Sequence, residues 1–312
     1  MNKKINVLYY WDLDGFNRWS NIFSKKAPDI NLVHKDNAFS DEVDVALVWL
    51  PPKGLLDSYK NLKGVINLGQ GVDHLLKPGI VPKNLPIIRL VDPDMSKQMS
   101  AWVSLQVLRE TCFMEEYLDQ ERNKKWQTVR FIPSNEWTIG VLGIGAIGEH
   151  VALSLSNFGY NVKGWSRSKK KFDGIKCYHG EDGLTEMLPK CNILICLLPL
   201  TNETRHIINK NTMSLLPKGA SIINAGRGGH VNEDDLLEMI SHGKIKNAYL
   251  DVFETEPLPE DHPFWDHKNI IIWPHVSAQT NTDTSIDQII NAARCLVNNN
   301  VAPNQIDREK GY

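Results

Sequence analysis

The chain has 312 residues, more than a single hydrophobic core comfortably serves, so two domains of ordinary size are expected. With 35 Lys and Arg against 37 Asp and Glu, the net charge of −2 leaves no basic footprint for nucleic acid or an anionic membrane and points instead to a small-molecule partner. The 42% hydrophobic content supports globular folding, and no run reaches the roughly 18 uninterrupted apolar residues a membrane helix needs.

Lys3 and Lys4 precede an apolar run at 5–11 that is too short for a signal-peptide core and lacks a cleavage pattern, so it reads as a first strand. Cys112, Cys177, Cys191, Cys196 and Cys295 are odd in number and lack paired spacing. Reduced thiols in a cytoplasmic protein, with no metal site, are expected. Further apolar runs at 31–34, 45–50, 65–68 and 87–91 alternate with turn-rich or helical segments, and 16–23 has helical period. Strands separated by helices predict a parallel sheet with helices on its faces.

Ligands collect outside the carboxyl ends of such strands. Two loops stand there: Trp49-Leu50-Pro51-Pro52 and Gly69-Gln70-Gly71-Val72-Asp73-His74. In the second, Gly69 and Gly71 leave backbone N–H groups unobstructed, and a helix predicted to begin near Val72 would aim its positive end at an anion. A glycine turn serving only chain geometry fits the same residues. His74 reads as a structural histidine, and Trp49 fits a sheet edge or a pocket wall equally. Apolar residues from Met99 to Cys112 predict one long helix over 96–119, and 96–133 reads as the crossing into a second domain.

That domain opens on strand-like residues 138–142, which run into Gly143-Ile144-Gly145-Ala146-Ile147-Gly148. Ile147, Val151, Leu155 and Phe158 then fall at helical spacing. This is the strand, glycine turn and helix of a dinucleotide site. Gly143 would make the tight turn, Gly145 would let the backbone approach the pyrophosphate, and Gly148 would let the helix pack on the strand. Ala146 and Ile147 stand at the positive end of that helix. Strands follow at 161–166, 192–198, 220–224, 248–252 and 270–273, with a helix at 231–242. A last helix at 281–299 is expected to pack back on the first domain.

A free ribose 2′-hydroxyl is usually held by an acid roughly 20 residues past the glycines. Here that place reads Ser166-Arg167-Ser168-Lys169-Lys170-Lys171, with no acid. Arg167 suits a 2′-phosphate through a charge-assisted fork, with Ser166 and Ser168 as hydroxyl donors, so NADP(H) is preferred and NAD(H) remains possible. A solvated basic loop is the alternative reading.

Three polar residues follow at successive strand ends: Arg227 in Asn224-Ala225-Gly226-Arg227-Gly228, Glu256 before Pro257, and His275 after Pro274. Singly each has a dull reading. Together they suit reduction of a 2-keto acid: Arg227 for the carboxylate, His275 as proton donor, and Glu256 to favour the imidazolium.

On these motifs the chain resembles the D-2-hydroxyacid dehydrogenase family over nearly its whole length. Within it, Ala46-Leu47-Val48-Trp49 before Pro51-Pro52, Trp165-Ser166-Arg167, and the terminal Asp307-Arg308-Glu309-Lys310-Gly311-Tyr312 are most similar to bacterial reductases of glyoxylate and hydroxypyruvate. The resemblance implies a Rossmann-type doubly wound parallel sheet, residues 99–279, inserted in a smaller flavodoxin-like α/β substrate domain, residues 1–98 completed by 280–312. It implies a homodimer and an active site between domains, with Arg227, Glu256 and His275 catalytic. The substrate carboxylate would meet the Gln70 and Gly71 backbone beside Trp49, and Pro199, Ala225 and Asp251 would join the cofactor contacts. Ala101, where many members carry glutamate, and Ser277, where several have alanine or glycine, depart from the pattern. Another keto-acid dehydrogenase, or a cofactor-sensing binding protein on the same scaffold, stays open.

Overall fold

The structure, a computed structural model, describes residues 4–39, 41–309 and 311. Lys3, and Lys310 and Tyr312 of the terminal run, lie outside the described residues. The chain divides into two compact units, 1–95 with 279–312, and 96–278.

In the first unit, β1 (Ile5–Tyr10), β2 (Ile30–His34), β3 (Val45–Val48), β4 (Gly64–Asn67) and β5 (Ile87–Ile88) form a parallel sheet in the order β2-β1-β3-β4-β5. This is the flavodoxin-like order. The central strands β3 and β4 are buried along their whole length and, but for Asn67 at the end of β4, carry no polar side chain, as a doubly covered sheet requires. Helix α1 (Leu13–Lys26) is capped by Asp12, whose side chain accepts from Gly15 N, and it buries Trp19 and Phe23 against one face. The helix predicted near Val72 is absent. Leu75 N and Leu76 N donate only to Val72 O and Asp73 O, so residues 72–76 make three-residue turns that never propagate and carry no helix dipole.

Helix α2 (Pro93–Thr111) is followed by a separate α3 (Met114–Arg122), where one long helix is predicted. The break is at Phe113, whose φ of 57° lies in the left-handed region. No helix continues through that conformation, although neither glycine nor proline marks it.

The second unit holds seven parallel strands: β6 (Thr138–Leu142), β7 (Asn161–Ser166), β8 (Lys176–His179), β9 (Ile193–Cys196), β10 (Ala220–Asn224), β11 (Ile245–Leu250) and β12 (Ile270–Ile272). Their order, β12-β11-β10-β9-β6-β7-β8, reverses between β6 and β9. Helices α2 and α4 (Ala146–Asn157) cover one face through Val103, Val107, Val151 and Leu155. Helices α5 (Gly180–Met187), α6 (Lys210–Leu215) and α7 (Glu233–Ser241) cover the other through Leu184, Met187, Met213 and Leu236. Helices on both faces of a parallel sheet with one reversal make a doubly wound Rossmann-type unit, whose ligand crevice lies at the switch point.

Helix α8 (Thr282–Val297) returns to the first unit, with Ile286, Ile289, Ala293 and Leu296 in the same core as α1. Buried Asp92 ties its start to the segment where the chain leaves that unit. Its carboxylate accepts from Ser285 Oγ at 3.1 Å and from Asn281 N at 3.3 Å.

Candidate active site

The three glycines of the β6–α4 turn have three different physical reasons. Gly143 has a φ of 98°, a conformation side chains rarely adopt, so it is the turn. A Cβ at Gly148 would sit 1.9 Å from Gly143 O, so only glycine lets α4 close on the strand end. A Cβ at Gly145 would meet nothing within 4 Å, and its φ is an ordinary −101°. Neither fold nor packing demands that glycine. Gly145 and Ala146 are exposed at the start of a twelve-residue helix with no side-chain cap, an open cradle of N–H groups that fits a pyrophosphate.

Around the cradle, Gly164 in β7 leaves a slot for Ile144, whose Cδ1 would lie 1.4 Å from a Cβ there. Lys170 Nζ lies 2.5 Å from Ile144 O, a cation at the turn within a run that composition alone leaves as solvated loop. Ser166 is buried and donates its hydroxyl to Ser168 O at 2.7 Å. Arg167 is exposed, and its Nη1 meets Glu203 Oε2 at 2.8 Å. In the loop after β9, Thr204 Oγ1 donates to Pro199 O at 2.7 Å and accepts from Thr201 N at 2.8 Å, fixing exposed Pro199 beside the switch point. Buried Ala225 is held by its N–H on Cys196 O at 3.2 Å.

The Arg227 loop is locked from beneath. Buried Asn224 donates to Arg227 O at 2.9 Å and accepts from Gly226 N at 3.2 Å, while His230 Nδ1 accepts from Arg227 N at 3.0 Å. A Cβ at Gly228 would lie 1.8 Å from the Phe253 carbonyl carbon, so this loop rests directly on the segment leading to Glu256. Half-buried Arg227 also donates from Nη1 to Gly226 O at 2.9 Å.

Glu256 accepts from Phe253 N at 3.0 Å through Oε1 and stands 2.7 Å from His275 Nδ1 through Oε2. Burial pushes its pKa up, but the hydrogen bonds from His275 and Phe253 N–H and the charges of His275 and Arg227 outweigh this and hold it below 4.5. An ionised carboxylate only accepts, so Nδ1 carries a proton and donates, leaving Nε2 to hold the transferable one. The structure thus brings Arg227, Glu256 and His275 into one electrostatic neighbourhood.

His275 has a φ of 54°, in the left-handed region that few non-glycine residues occupy. Asp251 holds it there. This carboxylate is fully buried, and its two oxygens accept from Val276 N at 2.8 Å and Ser277 N at 3.0 Å, while His275 N donates to Asp251 O at 2.9 Å. Asp251, which the resemblance places among the cofactor contacts, thus positions the histidine loop.

In the first unit, a Cβ at Gly69 would lie 2.5 Å from the Trp49 ring, so Gly69 exists to seat that indole. Trp49 packs edge-on to buried His74, with centroids 4.7 Å apart. Fully buried Asn67 donates to Gly69 O at 2.8 Å and Gly71 O at 2.9 Å and so fixes the turn that carries Gln70. Asn67, His230 and Lys170 escape sequence reasoning because each works by holding the backbone of a motif loop, a contact that no residue pattern announces.

The linkage for Glu256 has a definite sign. A carboxyl whose folded pKa is depressed adds stability above its unfolded value, and that stability is lost as pH falls through the folded one. The gap in urea midpoint between wild type and Glu256→Gln is therefore widest near neutrality and narrows as the pH falls through the depressed carboxyl pKa. A gap that widens on acidification contradicts the pairing.

A doubly wound dinucleotide unit with an Arg, Glu and His set belongs to the nicotinamide-linked dehydrogenases. Residues 102–277 match the family model of the D-isomer specific 2-hydroxyacid dehydrogenase NAD binding domain, and the chain belongs to that family. It is 36% identical over 313 residues to glyoxylate/hydroxypyruvate reductase A of Yersinia enterocolitica, covering 99% of this chain and 100% of that one. The protein of the same name from Serratia proteamaculans is 38% identical over 290 residues, 91% of this chain and 93% of that one. Among solved structures, a D-isomer specific 2-hydroxyacid dehydrogenase of Xanthobacter autotrophicus Py2 in complex with NADPH and MES superposes with a TM-score of 0.93 at 35% identity, covering 99% of this chain and 100% of that one. An NADPH-dependent glyoxylate/hydroxypyruvate reductase of Sinorhizobium meliloti in complex with NADP and sulfate gives 0.92 at 29%, with the same coverage.

Proposed function

We propose that this chain is an NADPH-preferring reductase that converts glyoxylate to glycolate and hydroxypyruvate to D-glycerate. The observation that carries the reading is the ionised Glu256 carboxylate 2.7 Å from His275 Nδ1 in the field of Arg227. The full-length likeness to glyoxylate/hydroxypyruvate reductases supports the substrate class, and the NADPH and NADP complexes among the similar structures support the cofactor.

When bound, the reduced nicotinamide supplies a hydride to the keto carbon. Gly143, Gly145, Ala146, Ile147 and Gly148 would hold its pyrophosphate, with Pro199 and Ala225 lining the crevice at the switch point. Arg227 grips the substrate carboxylate and stabilises negative charge on the keto oxygen. His275 gives its Nε2 proton to the keto oxygen as the hydride arrives, and Glu256 keeps the ring in register.

Following NADPH and NADH consumption over a panel of short 2-keto acids tests the proposal. Turnover of glyoxylate and hydroxypyruvate with NADPH is the expected result; tight NADPH binding without turnover of any keto acid overturns it in favour of a sensor. Arg167→Ala is expected to raise KM for NADPH about tenfold or more while changing KM for NADH little, since only the phosphate needs the guanidinium. Equal effects on both cofactors would remove Arg167 from the phosphate site.

A homodimer is part of the proposal. Leu105, Met114, Tyr117, Trp126 and Phe131 expose large apolar surfaces within one short stretch of chain, and Trp126 is wholly exposed. This exposure supports contact between copies of the chain. A cytoplasmic location is also proposed, supported by five free cysteines. No described helix is long and apolar enough to cross a membrane.

A further inference from the structure

The strand end at Ser166 lacks the acid that an unphosphorylated ribose needs, but the structure supplies one from elsewhere. Glu203 lies in the loop after β9, Arg167 in the loop after β7, and β6 stands between these strands in the sheet. The 2.8 Å contact between Arg167 Nη1 and Glu203 Oε2 therefore bridges the carboxyl end of β6, across the same glycine turn that forms the cradle. Both side chains are exposed, 48% for Arg167 and 66% for Glu203, so the pair is readily parted by a competing anion.

We infer that Glu203 is a specificity-determining residue for the cofactor: it takes the place of the missing ribose acid, and its pair with Arg167 decides between a 2′-hydroxyl and a 2′-phosphate. Facing an unphosphorylated ribose, the carboxylate accepts the 2′-hydroxyl hydrogen bond while Arg167 stays with it. Facing a 2′-phosphate, Arg167 leaves Glu203 for the more highly charged group, and the carboxylate then opposes the phosphate at close range. Glu203 thus tempers the preference for NADP(H) that Arg167 creates and keeps NAD(H) admissible.

This inference rests on the proposed cofactor site, and fragment binding separates the two. Wild type and Glu203→Gln are titrated calorimetrically with adenosine 2′,5′-bisphosphate and with 5′-AMP, at one fixed ionic strength. Wild type is expected to bind the bisphosphate more tightly. The glutamine variant is expected to raise the ratio of bisphosphate to AMP affinity about three- to tenfold, by tightening the first and weakening the second. A ratio unchanged within twofold, or shifted toward AMP, overturns the role of Glu203 while leaving the cofactor site intact. Failure of wild type to bind either fragment overturns the cofactor site and this inference with it.

Discussion

Arg227→Ala is expected to lower kcat/KM with glyoxylate by roughly a hundredfold or more. A charged hydrogen-bond partner removed from a half-buried site typically costs about 3 kcal/mol, and each 1.4 kcal/mol is about tenfold in rate. The fold should survive, because the loop is fixed by Asn224 and His230 through backbone atoms that alanine keeps. The loss should appear in kcat as well as KM, since the guanidinium acts on charge that grows in the transition state. A loss below threefold contradicts the role.

The second large effect is at His275. Asparagine is the informative replacement because it tolerates the left-handed backbone that Asp251 imposes at that position. His275→Asn should therefore keep the loop, and with it NADPH binding, while kcat falls about 10²- to 10⁴-fold through loss of the general acid. Retention of activity within threefold, at unchanged folding, would show that another group protonates the keto oxygen.

What could be read from the residues follows how local the cause is. The glycine turn is legible because three glycines act within six positions, and two of their reasons are backbone geometry and helix packing. Strand β9 announces itself as a continuous apolar run. By contrast, β8 and α5 escape notice because residues 176–187 contain two glycines and bury few apolar side chains, leaving no period to detect. The break at Phe113 and the left-handed His275 are invisible for a different reason: each is held by surroundings rather than by a residue that prefers the conformation.

The site divides the same way. Arg227, Glu256 and His275 are recognisable by residue type at strand ends, and their convergence follows from neighbouring β10, β11 and β12. The basic Ser166-Arg167-Ser168 loop is also legible, but the carboxylate facing it is not, because Glu203 arrives from a loop two strands away. Likewise the buried Asp251 signals nothing in sequence about the two N–H groups it collects.

The central claim is that these side chains serve hydride transfer to a 2-keto acid. Its most direct test is turnover of hydroxypyruvate with NADPH deuterated at C4 of the nicotinamide, followed by mass and chiral analysis of the product. The account predicts D-glycerate carrying a single deuterium at C2 when the transferred position is labelled. Absence of deuterium at C2 with both C4 isotopomers, or formation of L-glycerate, would contradict it.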